Sequence, residues 1–252
     1  MNILKLRAAV AVIAFLVFAL SAIVFTEVRA EAPAVDPAAT KILKRMTDYL
    51  GSLKQFSVHT QNTLEDVLDS GHRIDLDVSA SVTLSRPNKL RSERKGDLVD
   101  QVFYYDGKNL TLYNPSSNVY ATETAPDTFE EMFKYLYESL GFGTPISDFV
   151  YPDAYPLLMQ DVTFATVIAK SSINGVKCDH LLFSRPGVDF QVWVSEGSKP
   201  LPLKYVVTDT AIAGLMSVVT IMSDWNVKPT VKDVQFTFVP PKGAQKISFM
   251  PF

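Results

Sequence analysis

Between Ile74 and Ser85 apolar and polar residues alternate without a lapse. Ile74, Leu76, Val78, Ala80, Val82 and Leu84 hold one parity; Asp75, Asp77, Ser79, Ser81, Thr83 and Ser85 hold the other. Successive side chains of an extended strand point to opposite faces, so this pattern fixes a strand with one apolar and one solvated face. A sheet wetted on one side is characteristic of antiparallel pairing, because parallel sheets are covered on both faces. The chain must therefore build an antiparallel sheet and find something to cover its apolar side.

Other segments supply the neighbouring strands. Phe56 to Leu64 reads as the hairpin partner, joined across Asp69-Ser70-Gly71. Short strands follow at Lys89 to Arg94, Val102 to Tyr105, Leu110 to Tyr113 and Val119 to Thr122, separated by turn-forming Gly, Asp, Asn and Pro residues. Strands resume at Phe164 to Ser172 and Val176 to Ser184, joined across Ile173-Asn174-Gly175. Val188 to Val194, Leu203 to Thr210, Leu215 to Trp225 and Val234 to Phe238 complete the set. About eleven strands in sequence, linked by short turns, predict a meandering antiparallel sheet that must curl or close.

Two helices interrupt it. Asp36 is placed to cap the first and Pro37 to open it, and Ile42, Leu43, Met46, Tyr49 and Leu50 recur at helical spacing over 37–50, with Gly51 as the stop. Asp127 or Thr128 caps the second, which places Phe129, Met132, Phe133, Leu136 and Leu140 on one face before Gly141, Gly143 and Pro145 end it. Residues 144–160 read as loop with short helical turns. Helices rich in aromatics and Met over an apolar sheet face enclose either a dry core or an apolar cavity; such side chains suit cavities because they offer large, adaptable contact area.

The N-terminus bounds the compartment. Lys5 and Arg7 precede an apolar run from Ala8 to Phe25, and small residues follow at Val28-Arg29-Ala30. This order describes a secretory signal peptide over 1–30, with residues 31–252 as one mature domain; the alternative is an uncleaved inner-membrane anchor. Glu31 to Ala39, rich in Pro and Ala, reads as a tether. Residues 1–30 carry Lys5, Arg7 and Arg29 against Glu27, so a chain of net −3 leaves −5 on residues 31–252. An acidic domain has no electrostatic reason to seek nucleic acid. The single cysteine, Cys178, permits no internal disulfide and no lipid attachment near the signal.

Signatures of chemistry are sparse. His59, His72 and His180 form no metal-ligand spacing. Cys178 and His180 share a strand face, which leaves either an inert buried thiol or a Cys–His pair. The sequence has no nucleophile elbow, phosphate loop or dinucleotide fingerprint. No catalytic residue, metal or cofactor is expected. Arg86 continues the apolar parity of Ile74 to Leu84. It either turns to the apolar side, where free carbonyls at a helix end or loop must receive it, or stands exposed because the strand ends at Leu84.

Three short motifs carry a resemblance. Leu84-Ser-Arg-Pro-Asn-Lys-Leu-Arg91, Tyr104-Tyr-Asp-Gly-Lys-Asn-Leu-Thr-Leu-Tyr-Asn-Pro115 and Phe236-Thr-Phe-Val-Pro-Pro-Lys-Gly243 follow an N-terminal helix and a Phe56 to Gln61 stretch. In this order they resemble the periplasmic lipoprotein carriers of the LolA/LolB-like superfamily. The segments Gly175 to Leu181, Val192-Trp193-Val194 and Pro200-Leu201-Pro202 look more like an uncharacterised branch of predicted periplasmic proteins within it. The resemblance implies a mainly β (α+β) fold, a curved antiparallel incomplete β-barrel with helices as a lid, and acyl chains held in its concave face. In the carriers the arginine of the Arg-Pro-Asn motif bonds to the lid; Arg86 occupies that position.

The expected ligand-binding set is therefore Arg86, Ile74, Leu76, Val78, Val82 and Leu84 from the sheet, with Phe129, Met132, Phe133 and Leu136 from the second helix. The expected function is a monomeric periplasmic carrier or binding protein for a lipid, acyl chain or lipoprotein. The alternative is an envelope-stress or regulatory module of the same fold that docks a protein partner, a role that an uncleaved N-terminal helix would suit as an anchor.

Overall fold

A computed structural model describes residues 34–140, 147–211 and 216–249. The expected signal segment 1–30, the first residues of the tether, the terminators Gly141, Gly143 and Pro145, and Leu215 lie outside them. The strands are β1 Gln55–Val67, β2 Arg73–Ser85, β3 Lys89–Gly96, β4 Asp100–Tyr105, β5 Asn109–Asn114 and β6 Val119–Thr124 in the first half. They continue as β7 Phe164–Ile173, β8 Val176–Arg185, β9 Val188–Ser195, β10 Pro202–Asp209, β11 Ser217–Asn226 and β12 Gln245–Lys246. All join one twelve-stranded sheet in the order β12-β6-β5-β4-β3-β2-β1-β11-β10-β9-β8-β7. Two antiparallel meanders, β1 to β6 and β7 to β11, are thus sewn together by the β1–β11 pair. The sheet curves but stays open, with β12 and β7 at its edges.

The strand predicted at Val234 to Phe238 is not one. That segment forms a 3-10 turn, Asp233–Phe236, across the outer face of the sheet. Phe236 is buried and borders, with the outward side chains Thr83, Arg91 and Tyr104, a shallow hollow on that face. Phe238 sits among Tyr104, Tyr113 and Tyr120, with ring centroids 5.4, 5.4 and 5.0 Å away. Aromatic contacts on a face, not backbone pairing at an edge, hold the segment. The unforeseen strand is β12, paired in parallel with β6.

Helix α1 spans Pro37–Ser52. The Asp36 carboxylate accepts from the Ala38 N–H at 2.8 Å, and Pro37 occupies the first turn, where its missing N–H is harmless. Gly51 does not stop it; the helix runs to Ser52. Glycine is needed there because a Cβ would fall 2.1 Å from the Pro152 carbonyl oxygen. Helix α2 spans Phe129–Leu140 and is capped by Thr128, whose Oγ1 accepts from the Glu131 N–H at 3.2 Å. A 3-10 turn, Ser147–Phe149, and a short α3, Ala154–Met159, supply the helical turns expected over 144–160.

One end of the sheet's inner face is packed solid. Phe56, Leu84, Tyr105 and Leu110 from the sheet join Leu43, Met46 and Leu50 of α1 and Phe129 and Met132 of α2 in one buried cluster. Each such side chain contributes on the order of 1.5–3 kcal/mol on burial. Tyr105 also donates its hydroxyl to the Pro126 carbonyl at 2.6 Å and lies 5.9 Å from the Phe129 ring, which fixes where α2 begins. A smaller cluster of Cys178, Trp193, Leu203 and Val206 forms separately.

Candidate ligand-binding cavity

Away from that packed end, the inner face is hollow. A cavity of about 740 Å³ lies between the sheet and α2, with Ser147 and Asp148 of the 3-10 turn also on its wall. Its floor is the inward parity of five adjacent strands: Thr60, Asn62 and Leu64 of β1; Val78, Ala80 and Val82 of β2; Leu90, Ser92 and Arg94 of β3; then Phe103 of β4 and Leu112 of β5. Val218 of β11 and Val207 of β10 continue it, and Phe133, Leu136 and Tyr137 of α2 form the roof. The volume falls within the range of roughly 300–1,000 Å³ that small-molecule sites occupy.

The alternating stripe that defines β2 is therefore used in three ways. Leu84 is fully buried in the packed end; Val82, Ala80 and Val78 wall the cavity; Leu76 and Ile74 lie beyond it, half-buried. The same division runs along α2. All four belong to the buried cluster, but Phe133 and Leu136 also line the cavity, whereas Phe129 and Met132, one turn earlier, do not. Of the expected set, the structure brings Val78, Val82, Phe133 and Leu136 to one hollow. It places Leu84, Phe129 and Met132 in the packing that closes one end.

Arg86 does not line the cavity. Its side chain follows the inward parity and meets backbone carbonyls: Nε donates to Leu53 at 3.0 Å, Nη1 to Val150 at 2.5 Å and Nη2 to Leu50 at 3.5 Å. Leu50 lies in the last turn of α1 and Leu53 is its C-cap, where carbonyls run out of helical donors; besides Arg86, Leu50 accepts only the capping Leu53 N–H, at 3.2 Å. Val150 directly follows the turn that brings Asp148 to the cavity. Arg86 thus ties α1 to the segment beside the roof. Burial pulls its guanidinium down to about 10, which leaves it charged at neutral pH.

Several wall residues escaped the sequence reading. Asn62 is buried and fully engaged: its amide donates to Thr60 Oγ1 at 2.9 Å and to the Val78 carbonyl at 3.0 Å, and it accepts from Thr220 at 2.9 Å. Asp148 accepts the Tyr205 hydroxyl at 2.8 Å. Burial pushes its carboxyl pKa up, opposed by that hydrogen bond and by the charge of Arg185. Arg94 could have been found from parity alone. It follows Leu90 and Ser92 on the inward side of β3, and the register sets it opposite Ala80.

The Cys178–His180 alternative resolves geometrically. Cys178 is buried, and desolvation pushes its thiol pKa up, which disfavours the reactive thiolate. His180 instead bonds to Gln191 at 2.9 Å and stacks on Trp193 at 3.9 Å. Among the described residues no group of three or more His, Cys, Asp or Glu side chains is placed to hold a metal ion.

A family model described as predicted periplasmic protein (DUF2092) matches residues 39–250. No curated protein matches the chain. Similar solved structures include an uncharacterized conserved protein from Thermus thermophilus, at 13% identity and a TM-score of 0.49, covering 84% of this chain and 99% of that one. The lipoprotein LppX from Mycobacterium tuberculosis is similar at 15% identity and a TM-score of 0.44, covering 78% of this chain and 100% of that one. A LolA superfamily protein from Nitrosomonas europaea is similar at 13% identity and a TM-score of 0.40, covering 79% and 97% of the two chains.

Proposed function

Since this chain belongs to the DUF2092 family of predicted periplasmic proteins, we propose that it is exported by its N-terminal segment and acts in the periplasm as a monomeric binding or carrier protein for a hydrophobic ligand. The ligand is a lipid or acyl chain, free or as part of an acylated protein. The observation that carries this reading is the hollow beneath α2: the greasy side of the sheet is left unfilled beside Val78, Ala80 and Val82, although the same stripe is fully buried in the packed cluster at Leu84.

The physical basis is transfer of hydrocarbon from water. Each buried methylene contributes about 0.8 kcal/mol, so ten of them supply roughly 8 kcal/mol before the cost of immobilising the chain. The aromatic and aliphatic roof of Phe133 and Leu136 can repack around tails of different length. No bond need be made or broken, and no metal or cofactor is invoked.

Titration of the purified protein with a fluorescent fatty acid tests this. Saturable uptake of about one probe per chain is expected, and it should weaken strongly in Ala80→Trp, which puts an indole into the hollow. Uptake that is absent, or that is indifferent to Ala80→Trp, would remove the cavity from the function.

A further inference from the structure

The wall of the cavity is not uniformly apolar, and its charges do not balance. Arg94 and Arg185 face one acidic wall residue, Asp148. Asp148 is already engaged: the Tyr205 hydroxyl bonds to it at 2.8 Å, and Arg185 is the cation that acts on it. Arg94 is left over. It is half-buried, and among the described residues its side chain makes no hydrogen bond or ion pair; no carboxylate perturbs its ionisation, and desolvation is what lowers its pKa. The hydroxyl of Ser92, its neighbour on the same face of β3, likewise bonds to no described residue. A guanidinium held against an apolar hollow without a counter-ion is unfavourable unless a bound group supplies the negative charge. Its planar fork matches the oxygens of a carboxylate or phosphate.

We propose that Arg94, with Ser92 beside it, receives the anionic head group of a single-tailed amphiphile, a carboxylate or phosphate, while the tail lies against Val78, Val82, Phe133 and Leu136. The inference rests on the carrier reading and adds a selection rule to it: acids are held, and neutral lipids of the same length are held less well. Arg86, by contrast, is saturated with carbonyls and has no capacity for a ligand.

The test is displacement of a fluorescent fatty acid from protein produced from the full coding sequence, with myristate, myristyl alcohol, methyl myristate and inorganic phosphate as competitors. Wild-type protein should bind myristate about tenfold to a hundredfold more tightly than the alcohol or ester, the span expected of one charge-assisted pairing. Arg94→Gln should abolish that ratio while leaving affinity for the alcohol unchanged; Arg94→Lys should retain a reduced preference. Equal binding of acid and alcohol by the wild type, or a preference that survives Arg94→Gln, overturns the head-group assignment and leaves the cavity's carrier role standing. Displacement by inorganic phosphate alone overturns it too, by assigning Arg94 to a free anion. If no amphiphile binds, the carrier reading itself fails, and the inference with it.

Discussion

A hollow and a packed core respond oppositely to added volume, and the fold offers a matched pair of alanines. Ala80 walls the cavity; Ala39 is fully buried on α1 in the packed cluster. Replacing either by Leu adds roughly three methyl-sized groups, each contributing about 0.8 kcal/mol if it finds room. At Ala80 the room exists, since the cavity holds about 740 Å³, so Ala80→Leu should be neutral or stabilising by up to about 2 kcal/mol. At Ala39 the added groups must displace neighbours, and overpacking of that kind costs about 1–3 kcal/mol. Urea unfolding of delipidated protein measures both. Ala80→Leu should also weaken fatty-acid uptake, whereas Ala39→Leu should leave it unchanged in whatever protein remains folded. An Ala80→Leu protein as destabilised as Ala39→Leu would mean that the inner face is filled in solution, and it would refute the cavity.

Further outcomes follow from single contacts. Arg86→Leu leaves the Leu53 and Val150 carbonyls without their charged donor and should lower stability by about 3–5 kcal/mol, measured by urea unfolding; a loss below about 1 kcal/mol would show that Arg86 is solvated. Gly51→Ala should lower the melting temperature despite alanine's better helix propensity, because the Pro152 carbonyl occupies the Cβ position; a raised melting temperature would place α1 farther from Pro152. Burial raises the Asp148 pKa above 3.8, so the fold favours its protonated form. Its contribution is therefore present below the ordinary carboxylate value and lost as pH rises through the folded value. Asp148→Asn should flatten the decline of stability with rising pH through that range, and an unchanged pH profile would rule the group out.

The one-sided alternation of β2, and with it the antiparallel meander, was legible because a period of two is written locally. The same parity offered the inward turn of Arg86 as one of two alternatives, and the carbonyls of Leu53 and Val150 decide for it. What the stripe does not encode is where it is covered. Val78 and Leu84 have the same place in the pattern, yet one borders a hollow and the other does not, since what covers each is set by residues distant in sequence. Phe129 and Phe133 divide in the same way one turn apart. Phe236 and Phe238 imitate a strand because they alternate, but their partners are side chains on the outer face, distant in sequence. Gly51 reads as a helix stop, whereas its purpose is proximity to Pro152. Arg94 was within reach of the parity rule, applied to β3 as it was to β2.

Native mass spectrometry of the protein taken directly from envelope extracts, without detergent exchange or refolding, asks most simply whether the hollow is occupied. A carrier of amphiphiles should appear with a discrete extra mass of one small molecule per chain, released by organic solvent and absent from Ala80→Trp. A spectrum showing the bare polypeptide alone, unchanged after incubation with fatty acid, would contradict it.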